Sequence, residues 1–215
     1  MRSTKLSILA MVLFGALASC GSSPSTLAYG PRSYAPSDYD EVYEKWSEER
    51  QAFELGRLED VMAVTATFET WDFRWAYTVR YAYDYGLPLE QRRAMLKEAH
   101  RDSLNTHRFF VTLAGSNIRE SDLTSKHNAW RVVLINDKGR GVESENIEKV
   151  SGTYAPERVY FPTMSPHRLA FRVSFPVRFS DGEPVLTKRS RFAILRFTGS
   201  LGSVELKWKF QTEGT

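Results

Sequence analysis

Alternation between apolar and polar residues dominates the second half of the chain. Leu169, Phe171, Val173 and Phe175 stand on one side of a stretch whose other side is Ala170, Arg172 and Ser174. Val204, Leu206, Trp208 and Phe210 do the same against Glu205, Lys207 and Lys209. Successive side chains of a strand point to opposite faces, so a period of two buries one face and wets the other. Arg108 to Ala114, Ala129 to Ile135 and Arg191 to Phe197 read as further strands. Glu145 to Val150 and Arg158 to Phe161 are shorter candidates. Turn signals separate them at Asn136-Asp137-Lys138-Gly139, at Ser180-Asp181-Gly182-Glu183-Pro184 and at Gly199 to Ser203. Short strands with regular turns predict a mainly β fold of the α+β class, with an immunoglobulin-like antiparallel β-sandwich as its body over residues 106–215. The 13 Phe, 10 Tyr and 5 Trp suit a large aromatic core.

Residues 38–105 read as a helical attachment containing a first strand. Ser37 to Asp40 forms a capping-box-like start, followed by Tyr39, Val42, Tyr43, Trp46 and Phe53 at helical spacing, with Gly56 as the stop. Val61 to Phe68 predicts a buried strand, and residues 61–215 are expected to form one domain. In the next stretch Trp71, Phe73, Trp75, Tyr77, Val79, Tyr81, Tyr83 and Tyr85 occupy every odd position. That is the period of a strand, but one far longer than the usual ~5–6 residues. Thr70 as a cap, Asp72 in a first turn and Gly86 before Pro88 favour a helix, with a long hairpin over 61–85 as the alternative. Leu87 to Leu104 predicts a second helix, which would complete a helical hairpin. Trp71, Trp75, Tyr77, Tyr81 and Tyr85 are the candidate interaction surface, since exposed aromatic patches mark binding sites.

The N-terminus follows a different logic. Arg2 and Lys5 precede an uncharged run from Leu6 to Ser19, shorter than the ~20 apolar residues that span a bilayer but suited to an export signal. The run closes on Leu17-Ala18-Ser19-Cys20-Gly21, and Cys20 is the only cysteine among the 215 residues. This arrangement resembles the lipobox of bacterial lipoproteins. The resemblance implies removal of residues 1–19 and lipidation of Cys20 with palmitate-type chains, which anchor firmly only when two or more are present. Gly21, rather than an acid, resembles sorting to the outer rather than the inner membrane. Residues 20–37, rich in Ser, Pro and Gly, are expected to be a flexible tether reaching up to roughly 50 Å.

Loss of residues 1–19 removes Arg2 and Lys5 and no acid, so the formal charge falls from +3 to +1. With no long basic run, nucleic acid is not an expected partner. The expected partners are the membrane, through Cys20, and an envelope protein or glycan. No catalytic motif is evident: there is no nucleophile elbow, phosphate loop, His-Glu-x-x-His or Cys-x-x-Cys. His100 and His107 lie a heptad apart and would share a face if the helix continued that far. They lack a third ligand, so neither a metal nor a cofactor is expected. His127 and His167 fall in turns. Glu69 with Asp72, and Glu143 with Glu145, are the only carboxylate pairs considered for acid–base work, and Asp72 is explained more simply by the helix start. The reading is therefore a non-enzymatic, lipid-anchored envelope protein with a binding or scaffolding role. The rival readings are an accessory lipoprotein of a transport or assembly complex and a small-ligand or lipid carrier.

Overall fold

The structure, a computed structural model, describes residues 25–54, 59–115, 118–150 and 156–211. Cys20 and its lipobox lie outside the described residues, as does Gly56. Among the described residues nine strands form two antiparallel sheets, accompanied by helices. The five-stranded sheet has the order β1 (Ser47–Glu54), β2 (Glu59–Phe68), β3 (Thr106–Gly115), β7 (Leu169–Pro176), β6 (Asn146–Val150). The four-stranded sheet has the order β5 (Gly141–Glu143), β4 (Trp130–Asn136), β8 (Phe192–Gly199), β9 (Gly202–Lys209). The α+β class read from the sequence is the one observed.

The alternation explains which faces meet. Trp208 of β9 lies 6.0 Å from Phe68 and 5.2 Å from Phe109, ring to ring, and Phe109 meets Phe175 at 5.7 Å. These rings fill the space between the sheets. The larger sheet is also covered on its other face, and residues 109–113 of β3 are buried without interruption. Phe110 stacks on Phe161 at 3.7 Å, and Phe161 in turn meets Phe73 at 5.9 Å. The five-stranded sheet is thus the middle of three layers. A ring such as Phe110, buried on that second face, contributes ~1.5–3 kcal/mol of transfer free energy.

The stretch 71–85 is a helix, α2 (Trp71–Asp84). Thr70 Oγ1 accepts from the Phe73 amide at 3.3 Å, the cap expected of it. Gly86 ends the turn at φ +59°, a conformation that costs glycine nothing. The helix α3 (Leu89–Asn105) follows, and the helical hairpin is present as read.

Four expectations need correction. The first helix, α1 (Tyr39–Trp46), ends ten residues early, and the chain continues as β1. Ser47 to Glu54 is polar enough to look like a helix surface, but its backbone pairs with β2 from Ser47↔Thr67 onward. Tertiary pairing overrides weak local preference here, and charged side chains suit an edge strand. Because β1 and β2 are two of the five strands, residues 38–105 are not an attachment to a body beginning at 106. Arg158 to Phe161 is no strand: a 3-10 turn, Pro156–Val159, leads Tyr160 and Phe161 into the aromatic layer.

Residues 25–37, read as flexible, lie packed along the domain. Gln211 donates its amide to the Ser25 carbonyl at 2.9 Å. Trp71 Nε1 donates to the Gly30 carbonyl at 2.7 Å, and Tyr29 OH to the Ser103 carbonyl at 3.1 Å.

Candidate functional site

The aromatic row does not form the expected surface. Trp71 is buried, edge-on to Trp75 at 5.2 Å and to His100 at 4.8 Å. Tyr77 and Tyr81 are half-buried against Tyr160 at 5.0 and 5.8 Å. Trp75 is also only partly exposed. Tyr85 stacks on Tyr81 at 4.4 Å but keeps half its surface in solvent. What stays exposed is the hairpin tip, with Tyr83, Tyr85 and Leu89, and near it Val159. The aromatic spacing was a packing signal: the ladder Phe73, Tyr77, Tyr81, Tyr85 follows one face of α2.

The histidines separate because α3 stops at Asn105 and His107 begins a strand. His100 packs among Tyr29 and Trp71. Among the described residues no group of three or more His, Cys, Asp or Glu is placed to hold a metal ion. Glu69 and Asp72 face different partners and make no acid–base pair.

Asp72 is the hub of the N-terminal packing. Its Oδ1 accepts from Arg32 Nε and Tyr34 OH, both at 2.8 Å. Its Oδ2 accepts from Lys45 Nζ and Trp46 Nε1, both at 2.9 Å. Burial alone would raise its pKa, but the donors from Lys45, Trp46, Arg32 and Tyr34 outweigh it and hold the carboxyl below its ordinary value. One carboxylate therefore ties residues 32–34, α1 and α2 together.

One helical turn away lies a polar cavity of about 350 Å³ between the hairpin and the outer face of the five-stranded sheet. Period-two geometry brings Arg108 of β3 and Arg172 of β7 to its floor, since Phe110↔Arg172 are register partners, and Glu148, paired with Arg172 from the edge strand β6, stands exposed at its solvent side. Helix α2 supplies Phe73, Arg74, Tyr77 and Thr78, and α3 supplies Met95, Glu98, Ala99 and Asp102. Phe161 closes one wall.

Glu69, buried at the β2–α2 junction, is the anchor of the floor. Arg108 Nε meets its Oε2 at 2.5 Å and Arg172 Nε its Oε1 at 4.0 Å. Burial opposes the charge of Arg108, but Glu69 outweighs it and raises the arginine's pKa. Arg172 also reaches Glu157 at 3.5 Å and lies over the Phe110 ring at 5.9 Å.

Arg74 is different. It is 4% exposed. Its Nε donates to the Glu69 backbone carbonyl at 2.7 Å, yet Nη1 and Nη2 find no hydrogen-bond partner among the described residues. Burial, with Arg108 alongside, brings its guanidinium down to about 10. A buried donor left unmet costs ~1–3 kcal/mol, and more when charged. His107 is its neighbour: burial, reinforced by Arg74, lowers the imidazole to about 4, and Nε2 has no partner among the described residues. At neutral pH His107 is uncharged and offers Arg74 no repulsion.

Sequence reasoning missed this cluster, because its arginines come from three elements far apart in the chain. No known protein family, no curated protein and no solved structure matches this chain.

Proposed function

We propose that the chain is a non-enzymatic, lipid-anchored protein of a bacterial cell envelope, exported on residues 1–19 and held by lipid on Cys20. Its domain binds or scaffolds an envelope component, at the outer rather than the inner membrane. The observation that carries this reading is Leu17-Ala18-Ser19-Cys20 at the end of an uncharged apolar run, with Cys20 the only thiol. Among the described residues no helix is long and apolar enough to cross a membrane.

The packed segment 25–37 changes the geometry of that attachment. Ser25 is already hydrogen-bonded to the C-terminal end of the domain. Five peptide links separate it from Cys20, and a fully extended chain covers at most ~3.6 Å per residue. The anchor therefore lies within about 18 Å of the domain, and the domain works close to the bilayer surface instead of at the end of a long leash.

The test is metabolic labelling with radioactive palmitate in cells making the wild type or Cys20→Ala. Labelled wild type that fractionates with membranes, and unlabelled Cys20→Ala that does not, is the expected result. A Cys20→Ala protein that still labels overturns the reading.

A second reading, an accessory lipoprotein of an envelope complex, is favoured by one observation. Tyr83, Tyr85 and Leu89 stay exposed at the turn of the helical hairpin, where a partner helix or loop would find apolar contact. A carrier pocket between the two sheets has no room, because that space is filled by Phe68, Phe109, Phe175 and Trp208.

A further inference from the structure

The cavity beneath the hairpin has the volume of a small-molecule site, and its charges are sorted by depth. Arg74 lines it from α2 and is buried, with two guanidinium nitrogens unmatched by any described residue. Arg108 and Arg172 rise from the sheet, each with about a third of its side chain exposed. Glu69, the carboxylate buried among them, is shared by Arg108 and Arg172. Glu98, Asp102 and Glu148 complete the lining nearer solvent, and Glu98 and Glu148 are fully in the exposed class. Phe73, Tyr77 and Phe161 give the cavity an aromatic wall.

We propose that this cavity binds a free amino acid with an apolar side chain, its carboxylate directed to Arg74, Arg108 and Arg172 and its ammonium to the acidic rim. The two unmatched nitrogens of Arg74 are sealed from solvent, so the side chain turns toward the cavity as the ligand enters. A carboxylate then supplies the acceptors it lacks, in the planar two-oxygen form that matches a guanidinium fork. A simple anion would have to pass three rim carboxylates with nothing to offer them, and a polyanion more so. A cation would satisfy the rim and leave Arg74 as it is. Only a ligand carrying both charges answers both zones, and the aromatic wall gives its side chain a surface to cover. This inference does not rest on the anchor at Cys20.

The experiment is calorimetric titration of the purified full chain with three probes: L-phenylalanine, L-phenylalaninamide and N-acetyl-L-phenylalanine. Phenylalanine is expected to bind saturably, and the amide and the acetylated form at least tenfold more weakly. Arg74→Met, which keeps the volume and removes the unmatched donors, is expected to weaken phenylalanine at least tenfold without lowering the melting temperature. If Arg74→Met does not fold, the double variant Glu98→Gln/Asp102→Asn takes its place. It should weaken phenylalanine at least tenfold and leave N-acetylphenylalanine unchanged.

The proposal is overturned by absence of saturable heat up to about 10 mM phenylalanine, past the range of weak specific ligands. Amide or acetylated probe binding as tightly as phenylalanine overturns it as well, as does unaltered binding by a folded Arg74→Met. None of these outcomes depends on acylation of Cys20, so palmitate labelling and titration succeed or fail separately.

Discussion

Asp72 and Arg74 stand two residues apart on one helix, both buried and both charged, and they are treated in opposite ways. Asp72 accepts four hydrogen bonds, two from cations, and every one comes from a different side chain. Arg74 makes one side-chain bond, to a backbone carbonyl, and leaves two nitrogens unmatched by any described residue. The difference separates two uses of buried charge. A saturated ion holds elements in place, because its desolvation is offset inside the fold. An unsaturated ion beside a cavity is offset by nothing the domain itself provides, and that deficit is what a ligand can fill. Burial alone does not distinguish the two; the count of partners does.

The largest effect should come from breaking the saturated side. Asp72→Ala takes the acceptor from Lys45 Nζ, Arg32 Nε, the Tyr34 hydroxyl and the Trp46 indole N–H at the junction of three segments, although Arg32 keeps its bonds to the Ala28 and Gly30 carbonyls. Removing one partner of a buried ion cluster costs ~3–5 kcal/mol, and urea unfolding should report a loss of that size. A loss under about 1 kcal/mol would mean the hub is decoration, and the contrast with Arg74 would fail. The pH dependence carries the same sign. The folded-state pKa of Asp72 is below its ordinary value. Its contribution is therefore present above that ordinary value, near pH 4, and is lost as the pH falls through the folded value.

His107 sharpens the unsaturated side, in a separate pH window. Its folded-state pKa is about 4 against an ordinary 6.5. Between these values the unfolded chain binds the proton and the folded chain does not, so stability rises with pH across that window. Integrated between pH 6.5 and pH 4, the linkage is on the order of 2 kcal/mol. Lys188 lines the same small cavity as His107 and Arg74 adjoins it, so no nearby anion relieves the protonated ring except Glu69, which Arg108 and Arg172 share. His107→Leu should flatten this limb and leave the Asp72 limb below it untouched. A wild-type protein equally stable at pH 6.5 and pH 4.5 would contradict a buried neutral histidine beside Arg74.

How much of this was legible before the structure divides along the same line. The β-rich class was legible in the alternation of 169–175 and 204–210, because one wet and one buried face leave a period of two in the sequence. The helix at 71–84 was legible through its ends, Thr70 and Gly86, while its interior imitated a strand. It imitates one because α2 is buried on most sides, so aromatic rings recur where a half-exposed helix would show polar residues. Ser47–Glu54 was illegible as a strand, since an edge strand rich in charge carries the composition of a helix surface. Asp72 was read as a first-turn charge, which it is, but its four donors come from residues 32, 34, 45 and 46 and no local rule links them to it. The cavity was less legible still. Arg74 sits between Phe73 and Trp75, and Arg172 is the one charge in the strand 169–176. A charge on a buried face was the available signal, and only the register of β3, β6 and β7 brings the members together.

The smallest effect belongs to a third charge on the same helix, which tests whether an ion pair as such matters. Asp84, the last residue of α2, takes Arg80 Nε at 3.1 and 2.9 Å and the Tyr160 hydroxyl at 3.2 Å. Like Asp72 it accepts from an arginine and a tyrosine, though from two side chains and not four. It differs in solvent, since 26% of its side chain is exposed against 3% for Asp72. It also differs in position, because a negative charge at a helix C-terminus opposes the macrodipole by about 0.3–1 kcal/mol. A pair one turn apart on a helix surface returns only ~0.3–0.5 kcal/mol. The two contributions nearly cancel, so Asp84→Asn should change stability by less than about 0.5 kcal/mol in either direction. Urea unfolding beside Asp72→Ala makes the comparison direct. If Asp84→Asn costs as much as Asp72→Ala, the ion pair as such sets the cost of losing these carboxylates and desolvation does not. If it costs almost nothing, the weight of Asp72 comes from the absence of water around it, and the same absence makes the unmatched nitrogens of Arg74 expensive until something fills the cavity.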